Sequence, residues 1–315
     1  AHLTFLANAE AWSGRPFVDA VEVTLGVPPL RQLYDLQLSR ADLIELSPDL
    51  VRRAAQAGLR TWASAPVTLY ALRFDDALPA VQDARFREAL ALSLDRVTMA
   101  GVLLQKQAEP AAALLPPWLS GYAFLFTVET NVDRAKEIRT ALPATLATAA
   151  APLRLRVDAP GDLARLLGDR IAVNARQALL IVQVVNRTGA RAAAAGAPAL
   201  RAPAPAPEMR LIVWRFRSLS PRAELDALAA ALDLAEPAES AGSPATAGAD
   251  PAQLHAREQR ILAECRVLPL VLLPEFAGVG ARVRDWMPAR WGDWHLAGVW
   301  LDSAELPARS SGEKP

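Results

Sequence analysis

The chain is poor in the residues from which most active centres are built. Its 315 residues include one cysteine and three histidines. A single thiol, Cys265, excludes an internal disulfide and a cysteine-based metal site. It lies at the end of a helical pattern, just before the apolar run Val267–Leu273, a setting for a buried structural thiol rather than a nucleophile. His2, His255 and His295 are far apart and have no partners at ligand spacing, so no zinc or haem donor set is legible. There is no Gly-x-Ser-x-Gly elbow, Walker loop or His-Glu-x-x-His pair. Gly278-Val279-Gly280 lacks the third glycine of a phosphate cradle and reads as a turn. The expectation is a protein with no cofactor and no enzyme chemistry.

Excess charge of one sign is also missing. The 34 basic and 34 acidic residues cancel, which argues against a nucleic-acid surface. Lysine is almost absent (Lys106, Lys136 and Lys314), and with the abundant alanine this reads as genome composition. No apolar run approaches the roughly 20 residues of a membrane-spanning helix. No basic n-region or apolar h-region is visible after Ala1, so the sequence shows no export signal.

What is present is 52% hydrophobic residues over a length that can bury two cores. Strand and helix signals alternate: strand at Val18–Leu25, helix at Pro29–Leu38, strand at Ala41–Leu46, helix from Pro48 to the stop at Gly58, strand at Val67–Phe74. Asn131 opens a further helix. Leu153–Val157, Asp162–Gln177 and Leu179–Val185 form a strand–helix–strand series that reads as a βαβ unit. Met209–Phe216 and Val267–Leu273 read as strands, Pro221–Leu232 and Pro251–Glu264 as helices. The Ala/Pro-rich sections near 187–207 and 235–250 bury little apolar area and read as surface loops.

The most specific stretch is Asp83–Tyr122. Phe86, Ala89, Leu90, Leu92, Leu94 and Val97 recur at near-helical spacing, with Arg85, Arg87, Glu88, Asp95 and Arg96 between them. The helix reads as a packing element. Leu114-Leu115-Pro116-Pro117, Trp118 and Gly121-Tyr122 follow as an extended segment ending in a turn. This order resembles the family 5 extracellular solute-binding proteins, the peptide and nickel receptors of ABC importers. The resemblance is carried by Phe74, Pro79, Asp83, Arg85, Arg87, Ala89, Leu90, Asp95, Arg96, Leu115, Pro116, Pro117, Gly121 and Tyr122. Asp75 stands where the family has asparagine. Asn131, Asp133, Ala135 and Lys136 partly match a later Tyr-Asp-x-x-Lys-Ala-Lys motif, and Phe5, Asn8, Trp12, Gly14, Arg15 and Pro16 resemble a segment well inside the family's first lobe.

The resemblance implies an α/β, two-lobed periplasmic-binding-protein-like fold (type II, cluster C) with the first lobe incomplete in this chain. Residues 1–74 would belong to the first lobe, 75–268 to the second, and 269–315 to the return to the first lobe and the tail. It implies capture of a peptide or other small solute in an interlobe cleft by a monomer. Delivery to an ABC permease would follow, at the periplasm or cell envelope, with no nucleic-acid partner. Two alternatives stay open: a ligand-sensing domain of a transcriptional regulator, and a degenerate fragment that binds nothing.

Two aromatic clusters invite a functional reading. The terminal Trp286, Trp291, Trp294 and Trp300 could stack sugars, but the alternation over Ala297–Leu301 favours a strand that packs its indoles inside. In peptide-binding members of the family, a strand ends in Trp-x-x-Asp and that acid pairs with the ligand's α-ammonium. Aligning Trp214 with the family tryptophan puts Arg217 at the acid's position, where it would repel an ammonium and could fork onto a carboxylate or phosphate. The alternative is a solvated loop arginine displaced from that position. Tyr70, Phe74, Trp214 and Arg217 are the expected ligand-lining residues.

Overall fold

The computed structural model describes residues 1–75, 81–123, 125–143, 148, 151–158, 162–186, 207–234 and 250–302. Pro79 of the family signature, residues 187–206 and residues 235–249 lie outside the described residues. In chain order the elements are β1 His2–Leu6, β2 Ala20–Thr24, α1 Pro29–Gln37, β3 Leu43–Leu46, α2 Pro48–Gln56, β4 Arg60–Phe74, α3 Ala84–Ser93, α4 Arg96–Thr98 running into a π-turn Met99–Leu103, β5 Glu109–Pro110 and α5 Pro117–Ser120. They continue as α6 Val132–Thr140, β6 Leu153–Val157, α7 Asp162–Gln177, β7 Val182–Asn186, β8 Met209–Arg215, α8 Pro221–Ala231, α9 Pro251–Ala263, β9 Val267–Val279, β10 Val283–Arg284 and β11 Trp300–Leu301.

The chain divides into two compact units, Ala1–Ala65 with Pro274–Pro315, and Pro66–Leu273. The expected breaks after residues 74 and 268 lie at the end of β4 and the start of β9, whereas both divisions fall inside these strands. Apolar or β-branched residues run through both segments, and the strands continue past the ends that Pro66 and Leu273 mark in the sequence.

In the first unit β1 pairs antiparallel with β2, and β3 pairs antiparallel with the Phe276–Val279 end of β9. Gly278 and Val279 therefore belong to a strand and not to the expected turn. A Cβ at Gly278 would meet Leu36 Cδ2 at 2.8 Å and Ile44 Cγ1 at 2.9 Å, so glycine is what lets α1 and β3 close over this strand. A small core gathers Ala277, Val279, Val283, Trp286 and Val299 with Trp62 packed against it. Trp286 is the buried indole, edge-on to Trp62 at 5.7 Å and to Trp294 at 5.4 Å. Trp294 and Trp300 stay exposed, contrary to the inward packing expected, and the Trp300 indole N–H donates to Asp285 Oδ2.

In the second unit the sheet order is β9–β4–β8–β6–β7, with β5 antiparallel to β9. β4 and β8 are antiparallel; β8, β6 and β7 are parallel. The parallel pair β6 and β7 joined through α7 is the βαβ unit read from the sequence. Strand alternation sorts the side chains into two faces. One carries Leu155, Val157, Leu211, Leu72 and Phe74 on the side of α7. There Gly168 of α7 lies so close to the strands that a Cβ would meet Val157 Cγ2 at 2.9 Å. The other carries Leu69, Ala71, Ile212 and Trp214 against Leu225 and Leu228 of α8 and Leu254 of α9. Each fully buried leucine of these layers contributes about 1.5–3 kcal/mol.

The signature helix is α3. Asp83 caps it, accepting from the Arg85 N–H at 2.9 Å. Phe86, Ala89, Leu90 and Leu94 are buried as expected, but Val97 is 61% exposed, because the helix ends at Ser93 and the stripe does not continue through Asp95. Arg87 and Arg96, read as the polar positions of the pattern, are buried instead. Arg87 donates to the Glu264, Val81 and Gln82 carbonyls at 2.9, 2.8 and 2.8 Å, and so caps the C-terminus of α9. Arg96 donates to the Pro269 carbonyl at 2.6 Å, and burial pulls its guanidinium down to about 10. Next to Glu264, Cys265 takes φ 50°, ending α9 in the left-handed conformation. Its thiol is half-buried, and desolvation raises its pKa.

Candidate functional site

The signature's proline-rich exit is held from below by a carboxylate. α5 begins at Pro117, as suits a residue without an N–H, and ends at Gly121 with φ 65°, a conformation that favours glycine. Glu258 of α9 is fully buried beneath it. Its Oε1 accepts from the Leu114 and Leu115 N–H groups, the latter at 3.1 Å, and its Oε2 accepts from the Tyr122 hydroxyl. Burial pushes Glu258 above the ordinary glutamate range. Burial, followed by the neighbouring Glu258 charge, raises the Tyr122 phenol. The sequence signal was present: Glu258 sits within the apolar stripe Leu254, Ile261 and Leu262 of its own helix, where a charge needs partners.

The other end of this segment reaches β4. The Trp118 indole N–H donates to the Pro66 carbonyl at 2.6 Å, and the Phe216 N–H to the Val67 carbonyl at 2.8 Å. Trp118, Trp214 and Tyr122 are all partly buried against the same core on the α8–α9 face. The start of β4 in the second unit thus anchors both the Pro-Trp segment and the exit of β8.

The exit of β8 is organised by a carboxylate absent from the sequence expectations. Glu224, in the first turn of α8 and 4% exposed, accepts from the Trp214 indole N–H at 3.1 Å and from the Arg217 and Ser218 backbone N–H groups at 2.6 and 2.5 Å. Ser220 caps α8 through the Ala223 N–H at 3.3 Å, with Pro221 at the first helical position. A capping box places its acid at the third helical position; Glu224 is at the fourth, so its spacing did not mark it.

The four expected lining residues do not come together. Tyr70 and Phe74 share the α7 face of β4, while Trp214, directly opposite Leu69, lies on the α8–α9 face. Phe74 is 1% exposed and is a core residue, which removes it from any lining role. Tyr70 is half-buried, and burial raises its phenol. Trp214 and Arg217 do belong together at the β8 exit. Arg217 is exposed, and its guanidinium has no partner among the described residues. Trp118, named in the sequence only as part of the signature, joins them. Among the described residues no cluster of histidine, cysteine and carboxylate groups could hold a metal, and no helix is long and apolar enough to cross a membrane.

Comparison with known proteins places this geometry. Residues 1–148 match the family described as bacterial extracellular solute-binding proteins, family 5 middle. The oligopeptide-binding protein AppA from Bacillus subtilis, solved with a nonapeptide, is similar at a TM-score of 0.72 and 14% identity over 95% of this chain and 64% of that one. NikA from Brucella suis, solved with Fe(III)-EDTA, gives 0.71 and 15% over 96% and 66%. The ABC transporter substrate-binding protein CtaP from Listeria monocytogenes gives 0.71 and 13% over 95% and 64%. The chain spans 64–66% of the length of these three structures, and at these identities the likeness establishes the two-lobed binding-protein fold. No curated protein matches the chain.

Proposed function

We propose that this chain, whose residues 1–148 match the family described as bacterial extracellular solute-binding proteins, family 5 middle, is the substrate-capturing component of an ABC importer, which binds a peptide or another small solute and delivers it to a membrane permease. Members of the family are extracellular or periplasmic binding proteins rather than enzymes, and the same location and role are proposed here. The observation that carries the proposal is the β8 exit, where Trp118 and Trp214 pack against one core and Glu224 pins the backbone that carries the exposed Arg217. A rigid backbone with aromatic surface and one polar anchor is the composition of a small-molecule site. Binding there needs little reordering, since the turn is already fixed.

Tryptophan fluorescence tests this directly. Titration with a library of di- to pentapeptides and nickel chelates is expected to yield at least one saturable change, which Trp214→Phe diminishes. Saturable binding that is indifferent to Trp214, Trp118 and Arg217 would move the site elsewhere, and a library without any binder would contradict the proposal.

A further inference from the structure

The charge and hydrogen-bond inventory at the β8 exit defines which solute fits. From Val213 to Asp226 the chain carries Arg215, Arg217 and Arg222 against Glu224 and Asp226. Asp226 is held in ion pairs with Arg257 at 2.5 Å and Arg222 at 3.9 Å. Glu224 is buried and accepts three N–H groups, so an incoming ammonium would have to break an existing bond to reach it. Among the described residues, both acids of this stretch are therefore already engaged, and the exposed Arg217 guanidinium has no partner. A partnerless arginine on a fixed backbone can take a carboxylate or phosphate through two parallel N–H bonds, with little entropy left to lose.

The indole and backbone donors at the exit that bind Pro66 and Glu224 are engaged. The Trp118 indole N–H is taken by Pro66 and that of Trp214 by Glu224, leaving ring surface rather than hydrogen bonds for a ligand. The Arg217 and Ser218 N–H groups bind Glu224, and the Ser218 hydroxyl accepts from the Ser220 N–H at 3.0 Å. What remains at the exit is the exposed Arg217 fork, the Ser218 hydroxyl proton and the partly buried rings of Trp118 and Trp214.

We infer that the Trp214–Ser218 exit selects solutes with an oxyanion head, carboxylate or phosphate, joined to an apolar body, and that it discriminates against solutes presenting a free ammonium there. The inference rests on the site assignment proposed above. It inverts the ammonium recognition that the family resemblance would lead one to expect.

The test is isothermal titration calorimetry with the peptide Ala-Phe-Ala in four forms, its amino end free or acetylated and its carboxyl end free or amidated, with phenyl phosphate as a second head group. Acetylation is expected to leave affinity unchanged or improve it, whereas amidation weakens binding by about tenfold or more, the scale of one charge-assisted fork. Phenyl phosphate binding comparable to the free-carboxyl peptide marks a general oxyanion site, and its failure narrows the head group to carboxylate. Arg217→Gln, at an exposed position that leaves the fold intact, is expected to erase the effect of amidation. If acetylation abolishes binding and amidation does not, the inference is overturned while the site assignment stands. Binding indifferent to both Arg217 and Trp214 overturns the site assignment and the inference with it.

Discussion

Glu258 and Tyr122 meet beneath the proline-rich exit, where the buried carboxylate accepts the phenol hydroxyl on one oxygen and the Leu114 and Leu115 N–H groups on the other. Three donors from a segment that forms no ladder there are satisfied by a single side chain. Glu258→Ala is expected to orphan all three and cost about 3 kcal/mol or more. Glu258→Gln keeps one acceptor oxygen for the two N–H groups and is expected to cost much less. Urea unfolding of the two variants distinguishes these outcomes.

The same residue sets a pH dependence. Burial raises the folded-state pKa of Glu258 above its ordinary value, so the folded chain binds the proton more tightly than the unfolded chain. Its contribution is fully present below the unfolded pKa and declines as pH rises from there through the raised folded value. Stability relative to Glu258→Gln is therefore expected to fall as pH climbs above the glutamate range. A wild-type and Gln pair with parallel pH profiles would contradict it.

Arg87 ties the C-terminus of α9 to the segment before α3, its planar fork donating to the Glu264 carbonyl on one side and to the Val81 and Gln82 carbonyls on the other. Lysine retains the charge but cannot reach three carbonyls in that geometry. Arg87→Lys is expected to destabilise by about 1–3 kcal/mol, measured by the same unfolding titrations, with hydrogen exchange rising first in the last turn of α9.

The regular elements were legible because period and punctuation agree in them. β6 and α7 have the bounds that alternation and the following helical stripe indicate, and Pro117, Pro221 and Pro251 each sit in the first turn of a helix. The buried charges were not legible as such. Arg87 and Arg96 fill polar positions of a helical pattern, and only carbonyls distant in sequence, at Glu264 and Pro269, show why they are inside. Of the four residues expected to line a site, Trp214 and Arg217 share the β8 exit, whereas Tyr70 and Phe74 lie on the α7 face of the sheet, away from Trp214, a separation that follows from strand alternation once β4 and β8 are paired. Glu224, which holds the exit together, lies one position beyond the capping-box spacing.

Glu224 is also the means of loosening that exit without touching the proposed anchor. Glu224→Ala leaves an indole and two backbone N–H groups without their acceptor, at a cost of about 2–4 kcal/mol. The expected signature is a red shift of Trp214 emission together with loss of ligand response, while Arg217 itself is unchanged.

Cys265 sits half-buried in a left-handed cap, and desolvation pushes its thiol up. The thiolate is the reactive form, so disulfide-exchange labelling of the native chain at pH 8 is expected to run about tenfold or more slower than that of the denatured chain.

The most direct test of the account is a charge reversal at Arg217. Calorimetry on Arg217→Glu, set beside the wild-type chain with the free-carboxyl, N-acetylated peptide and the free-amine, C-amidated peptide, reads the anchor alone because the variant residue is exposed. The account expects the wild type to favour the acetylated acid and the variant to favour the amine, each by about tenfold. A wild type that binds the amine form more tightly, or a preference that Arg217→Glu leaves unmoved, would contradict it.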